Sequence, residues 1–412
     1  MRKKLNMLLG SALMMLLLSA CANSAADKVE LTFWTTTDKG EQTDFLQQRI
    51  DAYNAEHPNV KVTLAPVDFG TASNQFKSAL LSGEKVDIFR SDNSWIPEFA
   101  DLGLLYPLDE LASDKDRASY VASALQSNEY QGSLYGLPSV LEAPALLYNK
   151  RILHEAGYSS PPATMDELLQ IAKKVSSKDR YGVYLNNDSY YALPYLWAFG
   201  GSTITDDKKI ELTSDNSISA LSFMLQLKQE GATQKYPDFS DSYSRMMQDF
   251  TEGKSAMIIN GPWAVLEILE GSEFKDADNL GIAQIPAGPN GQGSPIGGHS
   301  FVVSKYSDYP EEAYEVIKYL TSEETQLLQS ERLRTLPTQT SVYQNQKLAD
   351  DPIIQGFKDQ VDVAKARPLI PEGSQMFNDF TPNLTDILLG KQSVQAGVQK
   401  IEQAWKLMLN IE

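Results

Sequence analysis

Cysteine and histidine are scarce in this sequence, with one cysteine and three histidines among 412 residues. A single cysteine cannot form a disulfide within the chain, so the fold must rest on its apolar cores. His57, His154 and His299 lie too far apart along the chain to show the spacing of metal ligands, and we expect no metal site. The sequence contains neither a glycine-rich phosphate loop nor a Gly-x-Ser-x-Gly motif, and it predicts no cofactor.

Basic residues are also in the minority, with 36 Lys and Arg against 54 Asp and Glu. Residues 1–20 carry three of the basic residues and none of the acidic ones, so removing them changes the net charge from −18 to near −21. A charge of this sign argues against nucleic acid and against an anionic lipid surface as the ligand. The remaining 392 of the 412 residues exceed what one core usually supports, so we expect two domains.

Long apolar runs are limited to the N-terminus, where Leu5–Leu18 follows three basic residues. This stretch is too short to span a bilayer comfortably and is typical of a signal peptide, which we place at residues 1–20. The sequence LSAC ending at Cys21 resembles the lipobox of bacterial lipoproteins. That resemblance implies a lipidated Cys21 at the outer face of the cell membrane, with residues 21–28 as a tether. The alternative is an ordinary signal peptide followed by an incidental cysteine.

The first part of the remaining chain alternates predicted strands and helices, which favours a parallel sheet covered by helices. In such sheets ligands bind at the loops that follow the carboxyl ends of the strands. Those loops are Thr37–Gly40 and Arg90–Trp95. The predicted elements are the strands Val29–Thr36, Val60–Val67 and Val86–Phe89 and the helices Phe45–Asn54 and Phe76–Leu81.

The stretch Tyr135–Lys150 contains a lone carboxylate, Glu142, among apolar neighbours. Gly136 and Pro138 predict a loop in its first part, and the apolar run that ends at Tyr148 predicts a short buried strand. A charge is costly to bury unless it is paired or hydrogen-bonded. We therefore interpret this stretch as a chain crossing between two lobes, with Glu142 facing a cleft. A solvated loop carboxylate is the alternative.

Further along, a second α/β block is predicted from about residue 145 to residue 285, and the C-terminal part is predicted to be helical. The helix Val394–Leu409 places Val394, Val398, Ile401 and Trp405 on one face, which is the pattern of a helix packed on a core.

Aromatic and charged residues at predicted strand ends are the strongest functional signal. Trp263 follows Gly261 and Pro262, a rigid turn that would present the indole, and the apolar face of a sugar ring stacks on such a surface. Tyr190, in an aromatic-rich loop, offers a second face. Asp38, Lys39, Asp92 and Trp95 lie in strand-end loops, where charged groups bind hydroxyls strongly. Each of these residues has an ordinary structural alternative, as a core aromatic or as part of a local ion pair.

A glycosidase is the rival from another class, because that chemistry needs only two carboxylates that face one cleft. Glu142 with Asp38 or Asp92 would be the candidate pair.

Five segments together resemble the extracellular solute-binding proteins of the family that includes maltose-binding protein. The resemblance covers the chain beyond residue 20, and it implies a periplasmic-binding-protein-like (type II) α/β fold of two lobes, joined by three crossings that act as a hinge. The segments are DIFRSDNSWIPEFADLGLLYPLDE (87–110), YGLPSVLEAPALLYNKRIL (135–153), GKSAMIINGPWAV (253–265), IGGHSFVVSK (296–305) and RPLIPEGSQMF with ILLGKQSV (within 367–394).

The resemblance also implies ligand-binding roles. Asp38 and Lys39 match a pair that binds sugar hydroxyls, Asp92 and Glu142 match acidic ligand-binding positions, and Arg367 matches a sugar-contacting arginine. Tyr190 and Trp263 match the stacking platform. His299 stands where family members often have tryptophan, and Phe377 stands where the best-known member has one, so these departures leave the length and identity of the sugar open.

The implied function is that of a membrane-anchored receptor of an ABC importer, not an enzyme. It would be a monomer that captures a neutral oligosaccharide, with maltose or maltodextrin favoured, and docks on the membrane subunits of the transporter. Receptors for trehalose, sucrose or raffinose-type sugars are alternatives, and an adhesin is a remote one. The crossings would lie near Leu141, Ile285 and Leu336, so we predict an N-lobe of residues 29–140 and 286–335 and a C-lobe of residues 141–285 and 336–412.

Overall fold

The computed structural model describes residues 28–37 and 40–411 of the chain. Within this part of the chain, every helix is too short or too polar to cross a lipid bilayer. The strands are β1 (Val29–Thr35), β2 (Val60–Pro66), β3 (Ile88–Asp92), β4 (Glu129–Tyr130), β5 (Ser133–Leu134), β6 (Gly136–Glu142), β7 (Ala145–Asn149), β8 (Tyr181–Val183), β9 (Ser255–Asn260), β10 (Leu280–Ala283) and β11 (Gly297–Val303).

The α-helices cover both sheets and fill the C-terminal part. They are α1 (Glu41–Glu56), α2 (Phe69–Ser82), α3 (Ile96–Asp101), α4 (Asp114–Ala118), α5 (Ala122–Gln126), α6 (Lys150–Glu155), α7 (Met165–Val175), α8 (Leu193–Ala198), α9 (Asp215–Gln229), α10 (Ser242–Thr251), α11 (Val265–Glu270), α12 (Pro310–Leu320), α13 (Glu323–Leu333), α14 (Gln346–Ala349), α15 (Pro352–Val361), α16 (Met376–Leu388) and α17 (Val394–Leu409).

The first sheet has the strand order β2-β1-β3-β11-β6. Strand β1 is parallel to β2 and β3, as the alternation of elements predicted. Leu31 and Phe33 of β1 are fully buried, and their neighbours along the strand are more exposed, which is the period of two expected for a strand. Strand β11 is antiparallel to both β3 and β6, so a segment from much later in the chain completes this sheet.

Residues 136–142 were predicted to form a loop, and this prediction is wrong, because they form strand β6. The strand forms because β11 provides a pairing partner from residues 297–303, a contact that no local pattern indicates. Strand β6 lies at the end of the strand order. Pro138 is tolerated there because the backbone N–H that proline lacks is not needed on the side of an edge strand that faces away from β11.

The second sheet has the order β10-β7-β9-β8. Strand β9 is one of the two inner strands of this sheet, and all six of its residues are buried. The buried apolar residues around this sheet form a second core, in which helices α16 and α17 pack together. There the Trp405 indole Nε1 donates a hydrogen bond of 3.1 Å to the carbonyl of Met376. The predicted helix Val394–Leu409 is confirmed, and the four residues of its predicted apolar face are all buried.

The chain passes between the two sheets more than once. Only Ala143 and Pro144 separate β6 in the first sheet from β7 in the second. The chain leaves the second sheet at Ala283 and enters the first again at Gly297. Between these two strands, the Ala287 N–H donates a hydrogen bond of 2.9 Å to the carbonyl of Ala163, just before helix α7.

A third passage follows helix α13. The carbonyl of Leu336 accepts a hydrogen bond of 3.1 Å from the Leu141 N–H, so this segment lies beside the first crossing. The side chain of Leu336 is already part of the second core. The exact boundaries of the two lobes stay a prediction.

Candidate functional site

A cleft of about 970 Å³ lies between the two sheets and is lined by residues from both sides. On the side of the first sheet, the floor of the cleft is formed by the ends of β3 and β6 and by the start of β11. The other wall is formed by the loop after β8, the turn after β9 and the start of α16. Eight of the ten predicted ligand-binding residues line it, namely Asp92, Trp95, Glu142, Tyr190, Trp263, His299, Arg367 and Phe377.

Asp38 and Lys39, the other two predicted ligand-binding residues, lie outside the described residues, as does Cys21. Thr36, one residue beyond the end of β1, lines the cleft. The loop after β1 therefore starts at the cleft, and the roles of Asp38 and Lys39 stay predictions.

Asp92 is the last residue of β3, where a parallel strand delivers its end to the cleft. Its Oδ1 accepts hydrogen bonds from the Ser94 N–H at 2.7 Å and from the Ser94 hydroxyl at 2.6 Å. The same oxygen forms an ion pair of 3.1 Å with Nη2 of Arg367. The side chains of Asp92 and Arg367 are only 15% and 11% exposed, so this pair is largely shielded from water.

The electrostatic surroundings keep Asp92 ionised. Burial by itself would raise the pKa of Asp92, but the Arg367 guanidinium, His299 and the two Ser94 hydrogen bonds outweigh burial and lower it. Burial likewise acts to lower the pKa of Arg367, and Asp92, Tyr190 and Glu142 reverse that effect and raise it. The site therefore holds a stable carboxylate and guanidinium, which are strong hydrogen-bonding groups.

The lowered pKa of Asp92 leads to a prediction about acid stability. A carboxyl with a lower pKa in the folded state contributes stability above its unfolded pKa of about 4, and this contribution is lost as the pH falls through the folded value. We expect the free energy of unfolding of the parent protein to exceed that of Asp92→Asn most at pH 7. The difference should shrink below about pH 4. Urea unfolding between pH 3 and pH 7 measures this, and a difference that grows on acidification would contradict it.

Glu142 and His299 lie on neighbouring strands at the floor of the cleft. Glu142 ends β6 and is paired with Gly297 of β11, while His299 faces Asp92 of β3 in the ladder. The His299 Nδ1 is 3.6 Å from the Glu142 Oε2, and it is buried with no hydrogen-bond partner among the described residues. Glycine is required at position 298, because its φ is +135° and a Cβ would lie 2.0 Å from the carbonyl oxygen of Val140.

Aromatic rings form the opposite wall. The rings of Tyr190 and Phe377 are 6.5 Å apart and both are partly exposed. The Arg367 guanidinium carbon lies 5.9 Å from the centre of the Tyr190 ring. Burial raises the pKa of Tyr190, Arg367 opposes the rise, and Glu142 and Asp92 add to it. Tyr190 is therefore a neutral phenol that can donate a hydrogen bond.

Trp263 is placed by the turn that follows β9. It sits in a short 3-10 helix, Pro262–Ala264, and it stays partly exposed in the cleft while both neighbours are buried. A Cβ on Gly261 would lie 1.9 Å from the indole ring, so glycine lets the ring lie directly on the backbone. The Gly261-Pro262 turn thus presents the indole, as the sequence predicted.

Gly261→Ala should therefore displace the indole. Because added atoms in a packed site typically cost 1–3 kcal/mol, we expect the free energy of unfolding to fall by about that amount, with a change in the near-ultraviolet circular dichroism of tryptophan. Gly70→Ala is the milder control, since its Cβ would meet a single side-chain atom, Asp68 Oδ1, at 3.3 Å. If the two variants had the same free energy of unfolding and the same near-ultraviolet spectrum, the indole would not be held against Gly261.

Trp95 mainly packs against other aromatic residues and offers little surface for a ligand. The indole is only 9% exposed and stacks near Phe89 at a ring distance of 6.1 Å. Phe69, from the start of α2, lies over it at 5.1 Å with an interplanar angle of 29°. Phe69 is thus the more exposed of the two rings that line this side of the cleft, and it was not among the predicted site residues.

Other cleft residues were also missed. The sequence around them gives little indication of a site. Asp188 lies in a polar loop before the aromatic residues. The α2 residues lie mostly in the polar first turns of that helix, before the apolar spacing from which the helix was predicted. These residues include Asp188, Glu267, Phe69, Asn74, Lys77 and Gln375. Among residues 28–37 and 40–411, no group of three His, Cys, Asp or Glu side chains is arranged to hold a metal ion.

Two α/β lobes around a cleft with aromatic and charged walls define the class of two-lobed binding proteins. Comparison with known proteins identifies the family. Residues 39–327 match the model of the bacterial extracellular solute-binding proteins. The chain belongs to this family.

Individual relatives agree with this assignment. The GacH receptor of Streptomyces glaucescens, solved unliganded and with acarbose and an acarbose homolog, is 34% identical. It has a TM-score of 0.87 over 93% of this chain and 99% of its own. The galactooligosaccharide-binding protein of Bacillus subtilis is 26% identical over 98% of this chain and 96% of its own. The maltooligosaccharide ABC transporter solute-binding lipoprotein of Streptococcus pneumoniae is 25% identical over 92% and 91%.

Proposed function

We propose that this protein is the receptor of an ABC-type importer and that it captures a neutral oligosaccharide, with maltose or a maltodextrin favoured. The observation that carries the proposal is the composition of the cleft. Partly exposed aromatic rings on one wall face an ionised carboxylate and a guanidinium at the floor. Relatives that are named for the sugars they bind support the same reading.

The chemistry of a sugar matches this arrangement. The C–H face of a pyranose ring stacks on Trp263 or Tyr190, and its hydroxyls donate to Asp92 and Glu142 and accept from Arg367. Each residue acts by binding, and no proton transfer to the sugar is needed.

Capture would proceed by closure of the two lobes. A sugar that contacts both walls stabilises the closed state by the contacts that the open state lacks. Two contacts already join the walls, the Asp92–Arg367 ion pair and a 3.5 Å hydrogen bond from Gln375 to Glu98. The closed form, a monomer with the lobe boundaries predicted above, would then dock on the membrane subunits of the transporter.

Lipid attachment through Cys21 would keep the receptor at the outer face of the membrane. The lipobox-like LSAC sequence supports this proposal, and so does the Streptococcus pneumoniae relative, which is named as a lipoprotein. Metabolic labelling with a radioactive fatty acid tests it, because a Cys21→Ala variant should lose the label and leave the membrane fraction.

The family is one of binding proteins, which argues against a glycosidase. A glycosidase needs one carboxylic acid with a raised pKa to protonate the leaving group. In the candidate pair of Asp92 and Glu142, burial would raise the pKa of Asp92, but the Arg367 guanidinium outweighs it and the pKa is lowered, so Asp92 is not suited to be that acid.

A thermal-shift screen against glucose, maltose to maltoheptaose, trehalose, sucrose, raffinose, galactooligosaccharides and acarbose tests the proposal. A ligand at 100 times its Kd stabilises the folded state by about 2.7 kcal/mol, which raises the midpoint measurably. We expect at least one maltooligosaccharide to raise it, and chromatography of the same samples to recover that sugar intact. No shift with any oligosaccharide, or release of shorter sugars, would contradict the proposal.

A further inference from the structure

We propose that helix α2 carries a second carbohydrate subsite, centred on Phe69, which takes the outer rings of a long oligosaccharide. This inference rests on the proposed function and adds the class of ligand, namely chains longer than the part that Trp263 and Tyr190 hold. The subsite is defined by Phe69, Ser73, Asn74 and Lys77 on α2 together with Glu98 on α3, all of which line the cleft.

The Phe69 ring has the geometry of a stacking platform. One of its faces lies on the Trp95 indole at 5.1 Å, and its neighbour His299 approaches at 5.8 Å with a 66° angle between the rings. The residue nevertheless remains 44% exposed, and it lines the cleft. A ring that is fixed by a buried indole on one side and open on the other offers a flat apolar face at little cost in side-chain entropy.

Polar groups follow Phe69 along the same face of the helix. The cleft-lining positions 69, 73 and 77 are four residues apart, which places them one above another on an α-helix. Lys77 Nζ is fixed by a 2.7 Å ion pair with Glu98, whereas the exposed Asn74 carboxamide makes no hydrogen bond to the part of the chain that the structure describes. Planar aromatic, amide and charged groups together form a surface that suits the two sides of a sugar ring.

The other exposed apolar residue of α2 shows what an ordinary surface side chain looks like here. Leu81 is 76% exposed, lies outside the cleft and has no aromatic support. Isolated apolar residues of this kind need no functional explanation. Phe69 differs because a specific packing contact orients it toward a cleft.

The second lobe covers the same region. Gln375, just before α16, donates a hydrogen bond of 3.5 Å to Glu98, and Asn378 of α16 also lines the cleft. A sugar chain that extends from Phe69 to these residues would contact both lobes, so binding at this subsite would add to the stabilisation of the closed state.

Calorimetric titration with maltose, maltotriose, maltotetraose and maltoheptaose tests the subsite. We expect Phe69→Ala to weaken the longest ligand about tenfold, as the loss of one stacked ring predicts, and the shortest ligand that binds by less than twofold. Phe69→Tyr should keep the affinities of the parent, and Leu81→Ala is the control on the same helix. Asn74→Ala, at an exposed position, should show the same dependence on chain length with a smaller loss.

Unchanged affinities in Phe69→Ala, or an equal loss for every chain length, would overturn the subsite and leave the proposed function intact. A parent protein that binds none of these sugars would overturn both.

Discussion

The Trp263→Ala variant is expected to bind its best oligosaccharide about tenfold more weakly than the parent protein. The indole is partly exposed, lines the cleft and is held by the Gly261-Pro262 turn, so its removal deletes a preformed stacking surface. Loss of such a contact costs about 1.5 kcal/mol, which corresponds to roughly a tenfold change in Kd. Isothermal titration calorimetry with the sugar that gives the largest thermal shift measures the effect.

Tyr306→Ala is a suitable control for that experiment, because Tyr306 is a 54% exposed aromatic residue that does not line the cleft. It should leave the affinity unchanged. An unchanged affinity in Trp263→Ala would remove Trp263 from the binding platform, even if the protein binds sugar.

The Arg367→Met variant is expected to lose more sugar affinity than Trp263→Ala, with a Kd at least thirtyfold above that of the parent protein. Arg367 forms an ion pair of 3.1 Å with Asp92, and it lies before Ile370 of the second core, so it joins the two lobes. Removing one partner of a shielded, hydrogen-bonded pair typically costs 2 kcal/mol or more, because the other charge is left unpaired. Here that cost falls on the closed state, since opening the cleft lets water reach Asp92.

A double-mutant cycle with Asp92→Asn separates the pair from the direct contacts of each residue with the sugar. Because the two groups share a hydrogen bond, we expect a coupling energy of about 1.5 kcal/mol or more. The loss of binding free energy in the double variant should therefore be smaller than the sum of the losses in the two single variants. The measured quantity is the Kd of the same sugar for all four proteins. Additive losses would mean that the ion pair does not contribute to closure.

The parts of the fold that could be predicted are those governed by local patterns. Strand β1 and helix α17 follow the alternation and the 3.6-residue spacing of their buried residues, and the structure has both within a residue of the prediction. Strand β6 was missed because its partner β11 lies more than 150 residues further along the chain. Helix α2 begins at Phe69, earlier than predicted, because its first turns are mostly polar and carry no apolar spacing.

The residues of the candidate site also fall into those that local sequence indicates and those that depend on tertiary contacts. The rule that ligands meet strand ends led to Asp92, and the Gly-Pro turn led to Trp263, because both signals lie within a few residues of the side chain concerned. Phe69 could not be found from the sequence, since its orientation depends on a contact with Trp95 that only the tertiary structure creates. The ion pair between Asp92 and Arg367 joins positions 275 residues apart and was likewise beyond any local pattern.

A crystal structure of the protein with the oligosaccharide that gives the largest thermal shift tests the central claim most directly. We predict a closed molecule in which one sugar ring lies on the Trp263 indole and its hydroxyls are hydrogen-bonded to Asp92, Glu142 or Arg367. A sugar bound outside the cleft, or bound within it without contact to Trp263, would contradict this account.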